Sequence, residues 1–474
     1  MENVAESTTA KRPLWRRKWP WIVLAAAAAF VALVGPWPSY SSSYEGTEYA
    51  SATFARLDAL PLAPTTGPLI AGAAAKDITP PVGEPMAGFS ARKPKTGEGV
   101  HDNLFAKAIS LSNGRKTVTI VGGDILLVLP ELRDAVLQRL NLPREEVYFT
   151  ATHTHSGPGG YSSRWVDQMT LGEFDRAILT RLADAFAEVI RQSRSNMRPA
   201  EIDLRAVHPR DGGAGEYVAN RIAGDSPAFG TLHALTIRTD HGAMAIAVVA
   251  SPHPTCLGAD NRLLSGDYPG VVQRAAEKDR QCTCMFLAGA VGSMRPADIG
   301  ESGFEQAESV GGRIWARAKP DGTPGGPSLP QVTLAASVLE VDLPPQQYLL
   351  GKYLRVSPVA ASYLHGRRTY VQVLRINQTV FLGMPCDYSG ELAAELERAC
   401  AGQSLFPVIT SFNGDYIGYL LPHDRYGKAS YETRDLNLFG PWCGEYFNEI
   451  AVRLLRRSQV CPGAVTSRTR PGGC

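Results

Sequence analysis

The first 255 residues of this 474-residue chain contain no cysteine; all eight cysteines (256, 282, 284, 386, 400, 443, 461 and 474) follow them. A disulfide framework therefore cannot organise the N-terminal half, and Cys282-Thr283-Cys284 lacks zinc-finger spacing. Charge of one sign is also missing. Lys and Arg total 48 against 46 Asp and Glu, a net charge of +2, and the body of the chain has no basic cluster. That removes the electrostatic footprint of a nucleic-acid binder, so no nucleic-acid partner is expected. No internal repeat is evident, which argues against a solenoid or other array. What remains is a chain whose 44% apolar content can bury a large core. Length alone allows two or three domains, and one elaborate α/β unit is equally compatible.

Basic and apolar residues do concentrate at the N-terminus. Lys11, Arg12, Arg16, Arg17 and Lys18 precede an uncharged run from Trp21 to Val34, bracketed by Trp19, Trp21 and Trp37. Positive charge before an apolar run with aromatics at both ends predicts a basic cytoplasmic tail over 1–20 and a transmembrane signal anchor over 21–37. The run is near the lower length limit for a bilayer. A cleaved signal peptide is the rival, disfavoured because Pro36-Trp37-Pro38 sits where a small-x-small cleavage site belongs. The expectation is a single-pass membrane protein, N-terminus cytoplasmic and body periplasmic or extracellular, where the even number of cysteines permits disulfides. Residues 38–68 are expected as a linker, 69–460 as one catalytic domain and 461–474 as a basic tail with Pro and Gly.

From Leu69 onward, strand-like apolar runs alternate with amphipathic helical patterns, which predicts an α/β fold with a mixed β-sheet core and flanking helices. Thr117 to Val128 reads as strand, Pro130 to Leu140 as a proline-started helix, and Phe174 to Ile190 as a helix with its stripe at Ile178, Leu182, Phe186, Val189 and Ile190. Further strands are expected at 147–150, 232–238, 244–250, 285–288, 332–341, 371–376, 380–384 and 406–409. Pro320 to Pro330 reads as a long surface loop.

In four places a residue able to bind a metal follows an apolar strand. His153 and His155 follow Val147 to Thr150 and run into the glycines of Thr152-His153-Thr154-His155-Ser156-Gly157-Pro158-Gly159-Gly160-Tyr161. Histidines at i and i+2 on extended chain point the same way, a spacing that suits one imidazole on a metal and one working on substrate. His253 follows Met244 to Ala250, Asp387 follows Val380 to Met384, and Asn413 to Tyr419 follows Phe406 to Ile409. Ligand sites of open α/β sheets lie beyond strand carboxyl ends, so these termini can converge. Two imidazoles and a carboxylate on zinc leave room for a water whose pKa falls to about 7. HxH also occurs in ordinary strands, His253 lies between two prolines, Asp387 can cap a helix over Gly390 to Cys400, and Cys386 is itself a possible zinc ligand.

At these residues the chain resembles the neutral ceramidases, zinc-dependent hydrolases of the amide bond of N-acylsphingosines. Thr152 to Tyr161 is similar to the family's THTHSGPGGY stretch at every position. Gly72 to Phe89, Gly99-Val100-His101-Asp102, Ser265-Gly266-Asp267, Asp415 to Tyr419 and Tyr431-Glu432 are similar to further family segments, so the likeness spans roughly Ala71 to Phe447. It implies Zn2+ held by His153, His253, Asp387 and Tyr419, His155 beside the metal-bound water, and Tyr431 donating to the developing oxyanion. The family serine, viewed as nucleophile or as a polar partner of the carbonyl, matches Ser293, here in Gly292-Ser293-Met294 without the preceding acid or amide and the following proline. No base is near it in sequence, so it reads as a substrate contact and the attack is assigned to water.

Three departures bear on substrate. The family's ligand glutamate after Pro-Gly is the shorter Asp387 after Pro-Cys; its Asn-Arg-Ser stretch is replaced around Asp211 to Gly215, leaving Arg210 or Arg221 as substitutes; and no counterpart of its C-terminal immunoglobulin-like domain is expected after Leu455. The resulting expectation is a membrane-anchored zinc hydrolase of an N-acyl lipid such as ceramide. An esterase or lactonase with the same chemistry, and a non-catalytic lipid- or metal-binding descendant, are the alternatives.

Overall fold

In the computed structural model, residues 14–459 are described except 94, 210–212, 222–225, 321–330, 429 and 435, and the side chains of 14–17, 213, 214, 431 and 434. Three sheets carry the architecture. The first runs, in spatial order, Val147–Ala151, Thr117–Gly123, Phe105–Ser112, Ile70–Asp77 and Arg198–Pro199. The second runs Thr283–Ala288, Gly242–Ala250, Leu232–Thr239 and Glu201–Val207. The third runs Thr65–Pro68, Gln331–Asp342, Arg368–Ile376, Thr379–Gly383 and Phe406–Thr410.

Alternation along these strands decides which residues meet. In Gly242–Ala250, Ala245, Ala247 and Val249 join a core shared by all three sheets, while Ile246, Val248 and Ala250 face outward under the helices Asp267–Arg280 and Gly303–Ala318. The same period of two puts Met285 and Leu287 inside and Cys284 and Phe286 outside. The helix Arg176–Ser195 covers the first sheet with Ile178, Leu182, Phe186, Val189 and Ile190, and Asp175 caps it by accepting the Ala177 amide at 2.7 Å. The helices Glu48–Asp58, Gly390–Ala399 and Cys443–Gln459 cover the third. The result is one mixed α/β domain, as the strand and helix patterns predict.

Each sheet is antiparallel except for one parallel pair at an edge: 117–123 with 147–151, 242–250 with 283–288, and 379–383 with 406–410. Parallel neighbours need a crossover, and each has a helix for it: Pro130–Leu140, Asp267–Arg280 and Gly390–Ala399. These three βαβ units deliver the functional segments, because the residues leaving the parallel strands are those at 124–129, 152–161, 251–257, 289–293, 384–388 and 411–419.

Two regions depart from the sequence expectations. No helix among the described residues is long and apolar enough to cross a membrane. The helix Leu14–Leu33 includes Arg16, Arg17 and Lys18, and its apolar part from Trp19 onward is only about 22 Å long, against about 30 Å of hydrocarbon. The transmembrane anchor over 21–37, and with it the single-pass topology and the localisation it implied, is therefore corrected. Residues 38–68 are folded into the domain. Trp37–Pro38 pairs with Leu354–Arg355, the Tyr40 amide donates to Gln347 at 2.7 Å, and Tyr44, Ala50, Leu57, Leu60 and Leu62 enter the core beneath the third sheet. The six described cysteines are free thiols; Cys461 and Cys474, like the loop 321–330, lie outside the described residues.

Candidate metal centre

Thr152 and the next nine residues leave the first sheet as a tightly braced turn. The Thr152 and His153 amides donate to the Gly123 and Ile125 carbonyls at 3.0 and 3.1 Å. His153 takes a left-handed backbone with φ of 62°, a conformation that costs a β-carbon residue about 1–3 kcal/mol and is retained where the surroundings enforce it. The glycines are fixed by space: a Cβ on Gly159 would stand 2.1 Å from the Leu171 carbonyl oxygen. Ser265-Gly266-Asp267 braces the stretch from the side. Thr154 donates to the Ser265 carbonyl at 2.7 Å, and the Asp102 carboxylate accepts from Ser265, Gly266 and Arg274.

Three imidazoles converge. The Nε2 atoms of His153, His155 and His253 lie 3.1, 3.2 and 3.0 Å apart. His153 Nδ1 donates to the Leu126 carbonyl at 2.8 Å and His253 Nδ1 to the Val291 carbonyl at 3.3 Å. Those bonds fix the tautomers, leaving each Nε2 as a bare lone pair aimed at the other rings. His155 differs: its Nδ1 is buried and has no hydrogen-bond partner. Its ring packs on Phe89 at 4.7 Å, and its carbonyl accepts from the buried Arg92 at 2.8 Å. Phe412 stacks on His153 at 3.8 Å.

Burial keeps these rings neutral, the form that binds metals. It lowers His153 to about 3, and, with neighbouring cations and the other rings, holds His155 and His253 well below the ordinary value.

The predicted acid joins the cluster. Asp387 Oδ1 lies 3.7 Å from His153 Nε2 and 3.6 Å from His253 Nδ1, is buried, and accepts no hydrogen bond. Its Oδ2 accepts from the Tyr416 hydroxyl at 2.8 Å, and burial raises its pKa to about 7. Asp387 and Tyr419 are register partners in a short parallel ladder, and the Tyr419 side chain also hydrogen-bonds Asp387. The helix cap is Ser389, which accepts the Leu392 amide, so Asp387 is free of that duty. Cys386 points instead into the apolar core under the third sheet, and burial raises its thiol pKa. Converging nitrogen lone pairs and an unpartnered carboxylate oxygen are a donor set that fits a divalent metal cation.

Ser293 is 1% exposed and bonded on both sides: it donates to Glu391 and accepts the Gly390 amide at 2.9 Å. Tyr431 opens the short helix Tyr431–Arg434, and its side chain lies outside the described residues. Of the two candidate arginines, Arg210 lies outside them too, whereas Arg221 is half-buried and pairs with the buried Glu432 at 2.7 Å, close enough to the rings to oppose their protonation. The residues that sequence reasoning missed are Leu126 and Val291, which act through carbonyls and leave no side-chain signal, together with Tyr416, Phe412 and Glu391. Tyr416 stood inside the Asp415 to Tyr419 segment and was the one within reach.

Residues 69–302 match the model for the neutral/alkaline non-lysosomal ceramidase N-terminal family. Those residues belong to the neutral ceramidase family. The neutral ceramidase of Mycobacterium tuberculosis is 24% identical over 211 residues, 39% of this chain and only 32% of that protein. The neutral ceramidase of Pseudomonas aeruginosa is 21% identical over 80% of this chain and 71% of its own length. The crystal structure of the Pseudomonas aeruginosa neutral ceramidase superimposes with a TM-score of 0.69 over 83% of this chain and 75% of that one, at 20% identity. At that identity the superposition speaks for the fold, and the resemblance seen at Thr152 to Tyr161 extends to the architecture around it.

Proposed function

We propose that this chain is a zinc-dependent hydrolase that cleaves the amide bond of an N-acyl lipid of the ceramide class. The observation that carries the proposal is the triangle of Nε2 atoms at 3.0–3.2 Å, two of them locked as lone-pair donors by backbone carbonyls. The name shared by the relatives supplies the substrate class.

His153 and His253 would hold the ion through imidazole nitrogen, together with Asp387 and Tyr419. Zinc, when bound, supplies Lewis acidity and a water of lowered pKa, which an unreactive amide carbonyl requires. His155 is not locked to a backbone carbonyl as its neighbours are, and burial makes its charged form short-lived, so a proton taken up there is passed on to the amide nitrogen, which leaves only once protonated. Tyr431 is assigned, on the family resemblance, as donor to the carbonyl oxygen as charge develops there. Ser293 has its proton and an oxygen lone pair already committed, which favours water over serine as the attacking group.

The test is turnover of a fluorescent N-acyl sphingoid amide, and of its ester analogue, by protein of measured metal content, before chelation, after it, and after zinc is restored. Loss on chelation and recovery with zinc is the expected result. Full turnover by metal-free protein would refute the mechanism, and cleavage of the ester alone would refute the substrate class.

A further inference from the structure

The loop from Gly289 to Ser293 touches both sides of the metal centre. Its Val291 carbonyl accepts from His253 Nδ1 at 3.3 Å. Its Gly292 amide donates to the Tyr388 carbonyl at 2.8 Å, and a Cβ on Gly292 would come within 2.5 Å of the Asp387 carbonyl oxygen, so here the loop lies directly on the backbone that bears the acid. A shift of this loop therefore turns one imidazole and displaces one carboxylate together.

What holds the loop comes from elsewhere in the chain. Ser293 gives its hydroxyl proton to Glu391 Oε2 and accepts the Gly390 amide at 2.9 Å. The second oxygen of Glu391 accepts from Asn220 Nδ2 at 2.8 Å. Asn220 in turn is the register partner of Met294 in the ladder Val218–Asn220 with Met294–Pro296. A single carboxyl group, in the first turn of the helix that follows Asp387, thus ties down both strands of that ladder. The carboxyl group that holds the Ser293 hydroxyl lies 98 residues away in sequence.

We propose that Glu391 is a positioning residue for the metal centre: through Ser293 it fixes the loop whose carbonyl orients His253 and whose backbone abuts Asp387. This rests on reading the imidazoles as metal ligands, and it gives Ser293 the role of a strap. Residues that orient metal ligands typically change metal affinity ~10–100-fold when removed.

The experiment is a competition titration of the metal-free protein with Zn2+ against a chromophoric chelator, together with the visible spectrum of the Co2+ form. Glu391→Ala is expected to weaken zinc ~10–100-fold and to alter the cobalt spectrum, with Glu391→Gln between it and wild type. Ser293→Ala is expected to weaken zinc similarly, and the double variant no more than the weaker single one, because both cut the same strap. Should Glu391→Ala not fold, Ser293→Ala and Glu391→Gln carry the test. Zinc affinity within about twofold of wild type in folded single variants overturns the proposal, as does a double variant whose loss is the product of the two singles. A wild-type protein that binds no zinc overturns the metal reading itself, a different result from either.

Discussion

The imidazole side and the carboxyl side of the centre are held by different kinds of contact. His153 and His253 are anchored to backbone carbonyls, and the stretch around His153 is wedged by glycines with no room for a Cβ. Asp387 is held through side chains, by the Tyr416 hydroxyl at 2.8 Å and by Tyr419. A carbonyl anchor is lost only when its loop moves, as the Ser293–Glu391 contact prevents for Val291, whereas a hydroxyl anchor is lost with one oxygen atom. The imidazole side is therefore the rigid frame, and the carboxyl side is where the centre can be adjusted.

Substitutions can break this contrast, and the largest effect belongs to the frame. His153→Ala is expected to abolish both bound zinc and turnover, a greater loss than the ~10–100-fold that follows removal of a supporting residue, read by metal analysis and single-substrate kinetics. His155→Ala separates chemistry from binding: zinc should be retained while kcat falls ~10²–10⁴-fold, the range of a lost acid–base group. Loss of zinc in His155→Ala would make it a third imidazole ligand. Tyr416→Phe tests the adjustable side and should weaken zinc ~10-fold with little change in unfolding temperature.

The smallest effect concerns pH. Glu397 lies on the helix that also carries Glu391, and burial raises its pKa to about 7. A carboxyl group whose folded pKa is raised contributes stability that is complete below its unfolded value near 4.5 and is lost as pH rises through about 7. Glu397→Gln should therefore match wild type at pH 4 and melt at a higher temperature at pH 8. Equal melting temperatures at pH 8 would show that Glu397 does not carry this pH dependence.

Much of this was legible in the chain. The proline at the start of Pro130–Leu140, the stripe of Arg176–Ser195 and the apolar strands are local signals, and local signals were enough to place them. His153, His253 and Asp387 each follow a strand, Tyr419 came from the family resemblance alone, and the structure places the four near one another. Pairs such as Ser293 with Glu391 or Arg221 with Glu432 were not, because 98 and 211 residues separate them and no spacing rule reaches that far. The N-terminal helix misled for a different reason: tryptophans and a basic cluster imitate the flanks of a membrane span, while the helix takes three cations inside its own length.

The packing of Tyr44, Ala50 and Leu57 against Tyr446, Phe447 and Ile450 sets an order of events in the making of the molecule. About 390 residues lie between the two groups, so at roughly 5–20 residues per second the ribosome releases the second some 20–80 s after the first. For that interval the helix Glu48–Asp58 lacks its partner Cys443–Gln459, although the strand Gln331–Asp342 reaches it sooner, and the layer over the third sheet stays incomplete. Closure of this layer is a late step between distant parts of the chain, the slowest kind of contact to form and the one most exposed to aggregation before it does.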